Sequence, residues 1–172
     1  LRPDVAYTFT LCAICVPSKT RISQFYHMLK NFLPTITTDV TFSDPVALEL
    51  IRAAERKVGI PFPEDLINAL QESDGIVGEY ELALVWPLER IVKDNIKFRS
   101  YPEFASLYMP FDHLLFFGDA GNGDQFAYSV ARSGRIQNPD IFVWDHENDS
   151  RKWLAANLAK YLEWWITGQL KL

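Results

Sequence analysis

Apolar residues recur along this chain with two different periods, and the change between them divides it into elements. From residue 43 onward Ala47, Leu50, Ile51, Ala54 and Val58 fall at helical spacing and form one apolar face. Asp44 stands where an N-cap belongs, Pro45 at the first helical position and Gly59 at the stop, so the spacing predicts a helix between them. A second helix opens at Pro63, with Glu64 and Asp65 complementing its dipole and Leu66, Ile67 and Leu70 facing inward. Ser73-Asp74-Gly75 ends it.

The period then shortens. Leu82–Trp86 reads as a strand, and Pro87–Asn95 as a short helix or turn leaving it. Tyr101–Leu107 has no clear period. His113–Phe117 is almost continuously apolar, which suits a central strand buried on both faces. Phe126, Tyr128 and Val130 alternate with Ala127 and Ser129, as in a strand packed mainly on one face. Ser133-Gly134 and Asn138-Pro139 mark Arg132–Asp140 as a turn before the next strand, Ile141–Trp144. Asp149 or Ser150 is expected to cap a last helix with Leu154, Leu158, Tyr161, Leu162 and Trp165 inside and Gly168 at its end. The order ααβ(α)βββα predicts a single α+β domain over residues 43–172, with a largely antiparallel central sheet flanked by helices.

Residues 1–42 show no sustained period and no glycine, and read as an N-terminal extension in which Met28 is an alternative start. Val5–Val16 behind Arg2 has the length of a signal-peptide core, but Asp4 offsets the charge and no small-residue cleavage site follows. Cys12 and Cys15 lack the second pair that a closed zinc site requires. They read as thiols in an apolar segment, and a reducing, cytoplasmic compartment is the expectation. No run approaches the roughly 20 apolar residues of a membrane helix.

With 172 residues, 48% hydrophobic and 23% charged, the composition is that of a globular protein. A net charge of −5 argues against nucleic-acid binding, which needs lysine and arginine gathered on one face. Residues 112–149 hold seven acids against Arg132 and Arg135, a balance equal to that of the whole chain. Such a segment is either a solvated face or a surface that steers a basic partner towards it.

Within it, Gly118-Asp119-Ala120-Gly121-Asn122-Gly123-Asp124 separates two strand-like runs. The glycines suggest a sharp turn or a close neighbour. Neither the phosphate-loop nor the dinucleotide spacing is present, and Asp119, Asn122 and Asp124 do not follow calcium-loop positions. Asp145-His146-Glu147-Asn148-Asp149 is a second polar cluster. Pooling Asp119, Asp124, Asp145 and His146 would give a small metal-assisted hydrolase, if these groups converge. Spacing supplies no Ser-His-Asp set, no cofactor motif and no spaced metal-ligand set, so no catalytic residue, cofactor or metal is assigned. In the last helix, Trp165 is expected in the core and Trp164 at its edge.

Six segments in order carry a resemblance. They are Ile51–Gly59, Ile60–Leu66 (I-P-F-P-E-D-L), Ser73-Asp74-Gly75, Leu84–Leu88 (L-V-W-P-L), Phe117–Phe126 (F-G-D-A-G-N-G-D-Q-F) and Val143–Asp149 (V-W-D-H-E-N-D), with Leu162–Trp165 following before Gly168. The pattern resembles the SUKH superfamily, in its Smi/Knr-like branch, from about Asp44 to Leu170. The resemblance implies an α+β domain that binds proteins and performs no catalysis. Bacterial members are largely immunity proteins that neutralise polymorphic toxins; fungal members regulate cell-wall synthesis and usually carry long flanking extensions. An immunity-type protein with a basic toxin domain as partner, and neither nucleic acid nor membrane, is the expectation, with a cell-wall-type regulatory adaptor as the alternative. The expected contact surface comprises Asp119, Asp124, Asp145 and Glu147, with Trp144 as its aromatic contributor.

Overall fold

Strand β4 (Leu114–Asp119) is buried along nearly its whole length, because alternate side chains enter two separate aromatic clusters. Phe116 points into one, with ring centroids 4.8 Å from Phe98, 5.5 Å from Phe111 and 5.8 Å from Trp144. Phe117 points into the other, 4.8 Å from Tyr128 and 5.6 Å from Tyr161. A strand with helices on both sides must be apolar on both faces, which is why the run from Leu114 to Phe117 shows no alternation.

The computed structural model describes residues 29–170 and 172. Cys12, Cys15, the Met28 start and the Val5–Val16 segment lie outside the described residues. The chain runs through α1 (Leu29–Phe32), a 3-10 turn (Leu33–Thr35), β1 (Thr41–Phe42), α2 (Leu48–Val58), α3 (Glu64–Glu72), β2 (Ile76–Val77) and a 3-10 turn (Glu79–Glu81). It continues through β3 (Ala83–Val85), α4 (Leu88–Ser100), α5 (Pro102–Leu107), β4, β5 (Gln125–Ser129), β6 (Ile141–Trp144), β7 (Arg151–Ala155) and α6 (Leu158–Ile166). The α+β class stands. Its β part is two antiparallel sheets, β1-β2-β3 and the meander β4-β5-β6-β7.

Several expectations about individual elements need correction. Asp44 and Pro45 do not open α2, which starts at Leu48 after Ala47 with no side-chain cap. Here the Asp44 carbonyl accepts from the Asp74 amide, tying this segment to the end of α3. Leu50 is 60% exposed, because Ile51, Ala54 and Val58 set the phase of the helix and Leu50 lies about 100° away from Ile51. Residues 151–155 form β7, although the helical spacing of Leu154 with Leu158 places them at the start of the last helix. Asp149 adopts a left-handed conformation (φ 58°) and turns the chain from β6 into β7, so neither it nor Ser150 is a cap. The cap of α6 is Asn157, whose side chain accepts from the Lys160 amide. Ala127 is fully buried, so β5 is packed on both faces through its middle. Residues before 43 also take part: Leu33 lies in the core, and β1 pairs with β2 in the register Thr41↔Val77.

On its outer edge β4 has no ladder partner, and side chains complete its hydrogen bonds. The fully buried Asn95 of α4 accepts from the Phe116 amide at 2.9 Å and donates to the Phe116 carbonyl at 2.8 Å. Arg99 donates to the Leu114 carbonyl at 2.7 Å, and the Trp86 amide just past β3 donates to the Phe117 carbonyl at 2.7 Å. This approach requires Gly118, since a Cβ there would stand 2.4 Å from the Leu84 carbonyl oxygen.

Asp65 on α3 joins the opposite helix layer together. Its carboxylate accepts from Tyr128 Oη (3.1 Å) and from the Leu66 and Leu158 amides (2.9 and 3.0 Å). Burial raises its pKa from 3.8 to about 6, against the lowering effect of the Leu158, Tyr128 and Leu66 donors. The folded chain therefore binds this proton more tightly than the unfolded chain. Stability from this group is greatest at low pH and falls as pH rises through the interval from about 4 to about 6.

Two outcomes follow from these buried contacts. Asn95→Ala strips the Phe116 amide and carbonyl of their partner and should cost about 3 kcal/mol or more in urea unfolding. For Asp65, urea unfolding of the parent and of Asp65→Ala should be compared at two pH values, one near 4.5 and one near 7.5. The stability advantage of the parent over the variant should be larger at the lower pH, by about 2 kcal/mol, given the rise to about 6.

Candidate functional site

Three loops meet at one end of the four-stranded sheet. Leu82 Cδ1 would stand 3.3 Å from a Cβ at Gly121, so the Glu79–Glu81 turn lies against the β4–β5 hairpin. At Gly123 a Cβ would approach His146 Cε1 to 2.8 Å, so the hairpin lies in turn against the β6–β7 loop. Gly121 and Gly123 hold φ values of 85° and 106°, which only glycine adopts without strain. The glycine segment is thus a hairpin end that also admits close neighbours on both sides.

Most of the acids singled out from the sequence are engaged inside this end. Asp119 makes a bidentate pair with Arg90, at 2.7 and 3.0 Å. Arg90 also bonds Asp94 and lies 4.3 Å over the Trp86 ring. Asp124 is buried and accepts from Asn122 Nδ2 (2.9 Å) and the His146 amide (3.1 Å), with His146 Nδ1 at 2.8 Å. Burial alone would raise its pKa, but the hydrogen bonds from His146 and Asn122 prevail and the pKa falls below 3.8. His146 responds in the opposite sense: its bond to Asp124 raises its pKa above 6.5, opposed by desolvation and helped by the Asp124, Glu147 and Asp145 charges.

Trp144 is 3% exposed, and its Nε1 donates to Asp149 at 2.8 Å. It is a core ring against Phe111 and Tyr108, both at 5.0 Å, and presents no face to a partner. Asp145 accepts from the Glu147 amide and Asn148 Nδ2, with Lys152 Nζ 3.8 Å away. Glu147 is exposed. In the last helix Trp165 packs 5.2 Å from Phe126, and Lys160 covers Trp164 at 5.8 Å, with both indoles only half-buried.

The four groups pooled for metal chemistry divide. Asp124, Asp145 and His146 each place a ligand atom within 4.8 Å of the others, while Asp119 pairs with Arg90. Asp124 and His146 bond each other at the contact, and this pair clamps the hairpin to the β6–β7 loop.

Beside the hairpin lies a groove of about 550 Å³, which sequence reasoning missed. Glu79, Tyr80 and Glu81 line it together with Arg90 and Asp119, and Leu82, Ala120 and Trp165 contribute its apolar surface. Tyr80 is 91% exposed, and Tyr80 and Glu81 both hold φ near 57°. A trace of this was legible: Gly78-Glu79-Tyr80-Glu81 is a short polar stretch with one aromatic, placed just before a strand.

The Asp124–His146 pair generates a pH profile. A raised His146 pKa contributes stability that is complete below 6.5 and lost as pH rises through the higher folded value. A lowered Asp124 pKa contributes stability present above 3.8 and lost as pH falls through the lower folded value. The pair therefore stabilises most between about 4 and 6.5, and the melting-temperature difference between the parent and His146→Ala should be greatest in that window. An equal difference at pH 5.5 and pH 9 would show that the charge on His146 has no part in the clamp.

Among the described residues no helix is long and apolar enough to cross a membrane. No curated protein matches the chain. The sequence profile of the family described as SMI1-KNR4 cell-wall matches residues 48–162, well over half of the chain, and takes in every element from α2 to β7 and the groove lining apart from Trp165. The chain belongs to this SMI1-KNR4 family of the SUKH group.

Proposed function

We propose that this chain is a non-enzymatic protein-binding domain of the cytoplasm, an immunity protein that binds and neutralises a basic toxin domain. One observation carries the reading. Two loops on either side of the glycine hairpin present Glu79, Glu81 and Glu147 to solvent, while Arg90, the basic residue lining the groove beside the first of them, is bound by Asp119 and Asp94. An acidic face of this kind raises the encounter rate with cationic proteins and penalises anionic ones. Membership of the SUKH group supports a role in protein contact.

A cell-wall-type regulatory adaptor is the second reading, favoured by the family's description as cell-wall. It uses the same face and differs in the partner. The metal-assisted hydrolase loses Asp119 from its ligand set, because that carboxylate is committed to Arg90.

Charge reversal at Asp119 and Asp124 is a poor test, since one residue holds Arg90 and the other clamps two loops. The exposed carboxylates serve better. The chain should be isolated from its source cell and the co-purifying protein identified by mass spectrometry. Recovery of a basic toxin whose activity the pure chain blocks stoichiometrically is the expected result. Glu81→Lys with Glu147→Lys should slow association on the order of tenfold at low salt while leaving the melting temperature close to the parent's. A cell-wall synthesis protein in place of the toxin would establish the adaptor, and catalytic turnover by the chain itself would overturn both.

A further inference from the structure

We infer that the groove beside the Glu79–Glu81 turn receives an arginine or lysine side chain from an extended basic segment of the partner, an inference that rests on the protein-binding reading above. The groove offers each part of such a side chain a matching surface. Tyr80 supplies an open aromatic face, 91% exposed, on which a cation can stack. Leu82, Ala120 and Trp165 supply apolar surface for the methylene stem.

Charge fixes the sign of the occupant. Three carboxylates, Glu79, Glu81 and Asp119, line the groove against one guanidinium, that of Arg90. Arg90 is chelated by Asp119 on one side and bonded to Asp94 on the other, with Trp86 beneath its plane. Each of its three nitrogens donates to one of these two acids, so its charge is met by Asp119 and Asp94 rather than by Glu79 and Glu81. An acidic segment would meet repulsion here, and a neutral one would leave both carboxylates unmatched.

Backbone conformation points to the same place. Tyr80 (φ 57°, ψ 29°) and Glu81 (φ 57°) are consecutive non-glycine residues in the left-handed region. Each costs about 1–2 kcal/mol relative to a right-handed residue. What this conformation produces is an aromatic ring held away from the core, between two acids, with little burial in return. Strain at a surface turn that yields no packing is characteristic of binding sites.

The test uses the full chain and a defined probe. A soluble peptide of alternating arginine and glycine is titrated in, followed by amide and indole NMR shifts, with an alternating glutamate–glycine peptide as the control. Saturable shifts at Tyr80–Ala83 and at the Trp165 indole, absent with the glutamate peptide, are the expected result. Tyr80→Ala should weaken peptide binding on the order of tenfold. Glu79→Gln with Glu81→Gln should weaken it and flatten its salt dependence, whereas Glu49→Gln, on the exposed side of α2, should leave it unchanged. All these positions are exposed, so the variants should fold, and circular dichroism verifies it. Shifts confined to residues 145–148, equal binding of the glutamate peptide, or no shift at millimolar peptide would each overturn the inference. If the natural partner is recovered and binds Tyr80→Ala as tightly as the parent, the groove inference fails while the protein-binding reading survives. If the pure chain neither retains nor inhibits any protein from its source cell, the wider reading fails first.

Discussion

One edge of β4 has no strand beside it over most of its length, and the way its hydrogen bonds are completed places much of the remaining molecule. A buried strand edge with open amides and carbonyls would be heavily destabilising. Asn95 offers Phe116 both halves of an amide pair, Arg99 takes the Leu114 carbonyl, and Trp86 takes that of Phe117. Those three contacts hold α4 across the edge and bring the end of β3 against it. Gly118 is the residue that lets the last approach occur. With β3 fixed there, the Glu79–Glu81 turn can lie only beside the β4–β5 hairpin, and the groove is the space between them. The geometry of the acidic end is therefore a consequence of how a core strand is satisfied, several residues away from it.

Much of this was legible in the sequence where one physical cause acts alone. The run of large apolar residues at 114–117 announces a strand buried on both faces, since it is too short for a buried helix and the glycine-rich turn follows at once. Gly59 and Gly168 stop their helices in the positive-φ conformation that glycine supplies. Where two causes compete, the sequence misleads. Leu154, Leu158 and Leu162 keep a helical interval across the junction of β7 and α6, yet residues 151–155 pair with β6 because its ladder is open on that side. Leu50 has the right spacing for the α2 interior and lies outside, because Ile51 and its companions fix a different phase.

The site was less legible than the fold for a related reason. Sequence shows that acids are clustered, and cannot show which are already paired. Arg90 is 29 residues from Asp119 in sequence, and His146 is 22 from Asp124, so neither pairing has a local signature. Trp144 reads as an aromatic at the end of a strand beside five polar residues, a natural contact residue, until Asp149 and the ring cluster enclose it. Conversely, Tyr80 resembles any turn tyrosine, and only its exposure and positive φ distinguish it.

These pairings change what net charge means for the protein. The seven acids between 112 and 149 suggest a broad negative field, yet Asp119, Asp124 and Asp149 each serve a specific internal donor, and Asp145 organises its own loop. A carboxylate already held by a guanidinium or by amides contributes stability and has little left to offer a partner, since displacing those donors would cost more than a rim contact returns. Around the glycine hairpin, what remains for recognition is a smaller set that lies partly outside the acidic segment: Glu79 and Glu81 from the turn before β3, and Glu147 from the loop after β6. The glycine hairpin lies between them. Its role is to bring together two acidic loops from distant parts of the chain, and Gly121 and Gly123 matter because each makes room for one of the two neighbours.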